Sequence, residues 1–366
     1  MNKPIFLQAC RREPTPHTPV WLMRQAGRYM PEYRALRERV PFLTLCKTPD
    51  LAAQVTVEAV QRLGVDAAII FADILLIVEP MGVGLEFSQG DGPVIHRPVR
   101  SGADVDRLTE SSPVETVPFV FEAVRKARAS LPSHIPLIGF SGAPFTVASY
   151  LIEGGSSRHY IETKRLMYQD PGAWHALMER LVRVITAYVN GQIAAGAQAV
   201  QLFDSWIGCL SPADYQDFIL PHMQMLFHGI TPGTPVIHFG TETAGLLELM
   251  AEAGGDVIGV DWRIDLDVAW QRIGFDRAVQ GNLDPLVLFA PRDELRRQVE
   301  RVLRCAGGRP GHIFNLGHGI LPQTPVGNVR ALVEMVHEIS AKTVQGSKLS
   351  GIPFHSSFII HTSSFV

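Results

Sequence analysis

Arg24 and Arg28, in the run RQAGR, are the first residues of this 366-residue chain whose type and spacing suggest chemistry. A four-residue step puts two side chains on one face of a helical turn. Guanidinium groups grip carboxylates or phosphates through paired hydrogen bonds. Gly27 between them lets a ligand or a backbone approach closely. The rival reading is a pair of solvated surface arginines. Asp73 stands among apolar residues in FADIL. An acid there either caps a helix or pairs with an arginine. Alternatively it is a lone anion in an apolar cavity, where low dielectric strengthens its hold on N–H donors or on a developing cation. His318 lies between Gly317 and Gly319, in a tight loop that exposes the ring. It is either a rim histidine with satisfied hydrogen bonds or part of a phosphate site. Tyr150 and Ser205 add hydrogen-bond donors, each a weak signal alone. Together these groups suit a polyanionic substrate that carries N–H groups. They do not specify a reaction.

Residues so far apart in sequence need a scaffold that brings them to one place. Three segments repeat a pattern: LGVDAAIIFAD (63–73), AGAQAVQLFD (195–204) and AGGDVIGVD (253–261). Each has a helix-ending glycine, a short apolar run and an acid. The apolar runs have the length of strands buried on both faces, as in a parallel sheet. Adding similar runs predicts eight strands: 20–23, 67–71, 136–140, 199–203, 235–239, 257–260, 278–282 and 312–316. Helical periodicity fills the segments between them. Eight such units predict an α/β fold, a single (β/α)8 TIM-type barrel. An open doubly wound sheet is the alternative, but no GxGxxG or GxxxxGK[ST] turn occurs. GLEFSQGDGPVIHRPV (84–99) predicts a β-hairpin inserted after strand two. Residues 1–340 form the expected barrel domain, and 341–366 an atypical C-terminal tail. From Gly346 onward the tail is serine-rich and lacks helical periodicity.

Barrel strands deliver their C-terminal ends to one pocket. The predicted strands bring Arg24, Arg28, Asp73, Tyr150, Ser205 and His318 there. Ser141, Asp204, His238, Asp261, Asn282 and Asp284 occupy further strand-end positions. His238 and Cys305 lack a companion ligand pair, so no metal is expected.

Composition narrows the classes. Hydrophobic residues make up 46% of the chain and charged residues 19%, which implies a sizeable core rather than disorder. A formal net charge of −3 gives no basic field for nucleic acid or an anionic membrane. The four cysteines are scattered without a CxxC pair, which excludes a thiolate zinc site and a disulfide scaffold. The first twenty residues hold no apolar stretch fit for a signal peptide. The longest apolar run is interrupted by Asp73 and is too short to span a bilayer. A cytoplasmic location is expected.

Six motifs closely resemble the uroporphyrinogen decarboxylase family: PVWLMRQAGRYMPEYR (19–34), AAIIFADIL (67–75), GFSGAPFTVASYLIEGG (139–155), QLFDSW (201–206), QGNLDP (280–285) and NLGHG (315–319). They span about residues 1–340 in order. The resemblance implies one (β/α)8 barrel, assembled as a homodimer with facing clefts. It implies removal of the four acetate carboxyls of uroporphyrinogen, as carbon dioxide, to give coproporphyrinogen in haem and tetrapyrrole biosynthesis. It implies no metal and no organic cofactor. Substrate-binding positions would be Arg24, Gln25, Ala26, Gly27, Arg28, Phe42, Asp73, Tyr150, Ser205 and His318. Of these Asp73, Arg24, Arg28 and Tyr150 would serve catalysis. Three rivals remain at this stage. One is a cobalamin-linked methyltransferase of the same broad superfamily, which would need a zinc-binding His-x-Cys where this chain has His238-Phe239-Gly240. The others are a tetrapyrrole carrier without turnover and a phosphate-handling barrel.

Overall fold

The computed structural model describes residues 3–88 and 92–350. Seven strands form one parallel sheet: β1 (Ala68–Ile69), β4 (Leu137–Gly142), β5 (Ala199–Asp204), β6 (Val236–Gly240), β7 (Val257–Gly259), β8 (Ala278–Leu283) and β9 (His312–Leu316), side by side in that order. The other two, β2 (Leu85–Ser88) and β3 (Gly92–Ile95), form a separate antiparallel pair after β1. Their register sets Leu85 against Ile95 and Ser88 against Gly92. This antiparallel pair falls within the stretch 84–99 where a hairpin was expected, and the predicted turn, Gln89 to Asp91, lies outside the described residues.

The strands form where the apolar runs predict them because both faces of each are covered. All residues of β4, β6, β7, β8 and β9 are buried. Glycines end the helices as the repeats require. Gly64, at φ 71°, follows the helix Pro49–Leu63, and Gly196, at φ 119°, follows Pro171–Ala195. Both take a left-handed conformation that other residues adopt only at a cost.

The sheet curls. Gln201 on β5 and Gln280 on β8 are separated by two intervening strands, yet Gln280 Nε2 donates to Gln201 Oε1 at 2.9 Å. Trp21 Nε1 in turn donates to Gln280 Oε1 at 2.9 Å. A flat sheet would hold those strands about 14 Å apart.

The first predicted strand is reduced to one bridge. Val20 pairs in parallel with Phe314 of β9, and Phe314 N donates to Pro19 O at 2.9 Å. On the other side Asp66 N donates to Val20 O at 2.8 Å, just ahead of β1. Beyond Trp21 the ladder stops for a local reason. Leu22 N donates to the Gln25 side chain and Met23 N to the Asn315 side chain. Side-chain acceptors have taken the donors that a strand would need.

The last helix, Val326–Ser350, continues through residues 341–350. The aperiodic stretch from Gly346 therefore begins inside a helix, and the remainder of the tail, 351–366, lies outside the described residues. Among the described residues no helix is long and apolar enough to cross a membrane.

Candidate active site

The RQAGR segment is a loop fixed from below by a buried glutamine. Gln25 has no exposure. Its Oε1 accepts from Leu22 N at 3.1 Å, and its Nε2 donates to Ala67 O at 3.1 Å. Tyr29 donates its hydroxyl to Gln25 O at 2.7 Å. Gln25 was expected to bind substrate, but its side chain is spent on tying this loop to the start of β1. The arginines are not on a helical face either. Residues 23–30 form successive turns, with Arg24 at a left-handed φ of 62°. The turn geometry sends both arginine side chains to exposed positions. Among the described residues neither takes part in an ion pair or a side-chain hydrogen bond. The N–H groups of Ala26, Gly27 and Arg28 have no acceptor there either.

Asp73 follows β1 in a half-buried turn. One oxygen, Oδ1, accepts from Leu75 N at 2.9 Å, an Asx-type turn that holds the carboxylate in place. Among the described residues the other oxygen is in no ion pair. Desolvation pushes Asp73 up to about 6, against the opposing pulls of the Leu75 N–H and the Arg24 charge. The turn-capping reading of this acid is the one seen here: one oxygen holds the turn, and among the described residues the other takes part in no hydrogen bond or ion pair.

Tyr150 lies near the end of the helix Pro144–Glu153. Its ring packs on Trp206 at a centroid distance of 3.9 Å, tilted by 32°. Burial first, then the Asp73 charge, pushes its hydroxyl up to about 12, so it keeps its proton. Phe42 begins the helix Phe42–Lys47 and packs against Phe71 and Phe87 at 6.2 and 5.0 Å. Phe71 is two residues before Asp73, so these rings form an apolar cluster on the segment that leads to the acid.

His318 is held neutral. Desolvation, then the charges of Arg24 and Arg263, lower it to about 4. Arg24 lies against the following glycine: a Cβ on Gly319 would stand 2.5 Å from Arg24 Cδ. His318 and Ser205 line a cavity of about 380 Å³ beside Trp206, Tyr160, Glu242 and Arg263. Arg24, Arg28, Asp73 and Tyr150 are not on that cavity's wall. Of these, Tyr150 touches the wall residue Trp206, and the Arg24 charge reaches His318.

The other strand-end residues hold the rim. Asp204 is fully buried and accepts from the Thr146 hydroxyl at 2.9 Å. Asp261 pairs with Arg263 at 2.5 Å and accepts from Glu242 N at 2.6 Å. Asn282 Nδ2 donates to Asp261 O and Ile264 O. Asp284 caps the turn that begins at Pro285, and Ser141 is buried. His238 is sealed in the core beside Phe227 at 5.2 Å. Sequence reading missed Trp206, Tyr160 and Arg263. Two of these directly or nearly follow strand-end residues already singled out, Ser205 and Asp261. Extending the search by two positions past each strand would have found them. Tyr160 carries no such signal.

The family model described as Uroporphyrinogen decarboxylase (URO-D) matches residues 1–339. The chain belongs to the uroporphyrinogen decarboxylase family. It is 58% identical to a protein named uroporphyrinogen decarboxylase from Carboxydothermus hydrogenoformans, over 92% of this chain and 96% of that one. A protein of the same name from Sorangium cellulosum is also 58% identical, over 93% of this chain and 98% of its own length. Among solved structures, a methyltransferase from Methanosarcina mazei aligns with a TM-score of 0.78 and 20% identity, covering 91% of this chain and 97% of that one. That likeness shows a shared fold. Family membership accords with the motifs, all of which fall inside the matched span.

Proposed function

We propose that this chain removes the four acetate carboxyls of uroporphyrinogen to give coproporphyrinogen, as a carboxy-lyase of tetrapyrrole biosynthesis. The observation that carries the chemistry is Asp73, a carboxylate fixed by one backbone N–H and in no ion pair among the described residues. Decarboxylation needs a sink for the electrons of the breaking C–C bond. A proton added to the pyrrole carbon beside the acetate creates a cationic iminium. Loss of carbon dioxide returns the bonding pair to that cation and leaves an exocyclic methylene. A second proton on the methylene and loss of the first from the ring complete a methyl group. Asp73 accepts the pyrrole N–H groups and stabilises the cation, electrostatic catalysis with the usual sign reversed. Low dielectric in the half-buried turn strengthens that interaction.

Arg24 and Arg28 grip acetate and propionate carboxylates, helped by the unclaimed N–H groups of Ala26, Gly27 and Arg28. His318, neutral, contributes one hydrogen bond rather than a charge. Tyr150 and Ser205 are further donors, and Phe42 belongs to the apolar cluster. Gln25 serves the site by holding the loop. No organic cofactor or metal takes part in this scheme.

Residues 1–340 act as one catalytic domain, with the Val20–Phe314 bridge closing the curled sheet into an eight-stranded barrel. Cytoplasmic residence, expected from the sequence's apolar runs, and a homodimer, implied by the family resemblance, complete the proposal. A carrier that binds without turnover would use the same groups. Anaerobic incubation with uroporphyrinogen, followed by chromatography of the oxidised products, separates the two. Partially decarboxylated intermediates and coproporphyrin support the enzyme, and tight binding with unchanged substrate supports the carrier.

A further inference from the structure

The other end of the sheet carries a second cluster of potential ligands. His17 precedes the Val20 bridge, Asp66 precedes β1, and His337 projects from the last helix. One ligand atom from each lies within 4.8 Å of the others. His337 Nε2 shares a hydrogen bond with Asp66 Oδ2 at 2.7 Å, and the same oxygen accepts from Val20 N at 2.7 Å. His17 Nε2 stands 3.6 Å from the other oxygen, Oδ1. That nitrogen is buried and has no hydrogen-bond partner. Buried polar atoms are almost always paired, so an orphan needs a cause.

A hydrogen-bonded clasp accounts for His337 and Val20, while His17 Nε2 faces the same carboxylate at a distance too long for a hydrogen bond. A shared ion gives that nitrogen a partner. Zinc binds nitrogen at about 2.0–2.1 Å and carboxylate oxygen at about 2.0–2.2 Å, so tetrahedral donors stand roughly 3.3–3.5 Å apart. The His17 pair, made to Asp66 Oδ1 at 3.6 Å, stands just beyond that spacing. The 2.7 Å pair would open by several tenths of an ångström as the ion displaces the shared proton, with His337 protonated on Nδ1 instead. No lysine or arginine pairs with Asp66 among the described residues. The three side chains are 25%, 13% and 29% exposed, which leaves an approach for the ion and for a water in the fourth position.

We propose that His17, Asp66 and His337 bind one divalent transition metal of the zinc class. Two imidazoles and one carboxylate favour zinc, cobalt or nickel over magnesium or calcium. The ion would tie the N-terminal arm, the start of β1 and the last helix at the seam where residues 19–21 lie between the first and last strands. It has no part in the decarboxylation, and it revises the metal-free expectation only for this end of the molecule. No sequence motif announces it, because the three ligands come from distant segments.

The test uses the untagged, chelator-stripped full chain. Zinc is titrated calorimetrically, and cobalt by its visible ligand-field absorption. The expected result is one equivalent per chain, a cobalt spectrum of low-coordinate type, and a Tm that rises with zinc. His17→Gln, which loses no hydrogen bond, should bind at least about tenfold more weakly and lose the zinc-dependent rise in Tm while keeping wild-type decarboxylation. Absence of zinc binding by the wild type at about 100 micromolar overturns the proposal. So does equal binding by His17→Gln, which would place the ion elsewhere.

Discussion

Asp73 and Arg24 feel each other's charge but form no ion pair. The guanidinium pulls the Asp73 carboxyl downward, and the carboxylate holds the Arg24 proton more firmly. No contact joins them directly among the described residues. A closed pair would quench both charges. Left open, Asp73 remains available to a cationic intermediate and Arg24 to a substrate carboxylate.

The raised Asp73 carboxyl has two consequences with pH. Chemistry needs the carboxylate, so kcat/KM should fall as pH drops through about 6. Stability runs the other way. Between the ordinary value of 3.8 and about 6, the folded chain binds more protons at this site than the unfolded chain. Stability from this group is therefore present at low pH and lost as pH rises through that window. Asp73→Asn keeps an acceptor for Leu75 N and removes the buried charge. Its Tm should exceed that of the wild type at about pH 7.5, with the gap closing near pH 4. Thermal melts across pH check both signs.

Gly319→Ala should disable the site without unfolding the chain. Gly319 needs no unusual backbone angle, but a Cβ there would stand 2.5 Å from Arg24 Cδ and push the guanidinium aside. Misplacing a positioning cation by about 1 Å can cost up to roughly 10²-fold. Steady-state kinetics should show kcat/KM lowered about tenfold or more beside a nearly unchanged Tm. Wild-type kinetics would mean that Arg24 does not position substrate.

His318, lowered to about 4, carries no charge above about pH 5. His318→Asn retains an N–H donor and should leave the shape of the pH–rate profile unchanged between about pH 6 and 8. His318→Ala should raise KM by about tenfold with kcat nearly constant, the signature of lost uniform binding. A limb near pH 6.5 that vanishes in His318→Asn would show a charged role instead.

Gln25→Leu tests whether this residue acts through the loop. The substitution leaves Leu22 N and Ala67 O buried without partners. Each orphan costs about 1–3 kcal/mol, so the denaturant midpoint should drop by the equivalent of about 2–6 kcal/mol. Unchanged stability with a raised KM would return Gln25 to the substrate-binding residues.

What could be read from residues alone follows the physics of each element. β4 to β9 were legible because parallel strands buried on both faces leave continuous apolar runs. VWLM reads the same way, yet its ladder ends at Trp21. The Gln25 and Asn315 side chains that compete for its N–H groups are invisible to periodicity. The spacing of Arg24 and Arg28 suggested a helical face that the structure does not have. A loop with a left-handed Arg24 presents them, not a helix. Asp73 was legible as an isolated acid in an apolar run, but its division of labour between two oxygens needed coordinates. The cluster of His17, Asp66 and His337 had no local signal at all.

The most direct measurement compares wild type and Asp73→Asn with uroporphyrinogen under anaerobic conditions, following substrate binding and carbon dioxide release in parallel. The variant should bind within about tenfold of wild type while releasing carbon dioxide on the order of 10²–10³-fold more slowly. Release at the wild-type rate would contradict the role given to Asp73 as the anion opposite the cationic intermediate.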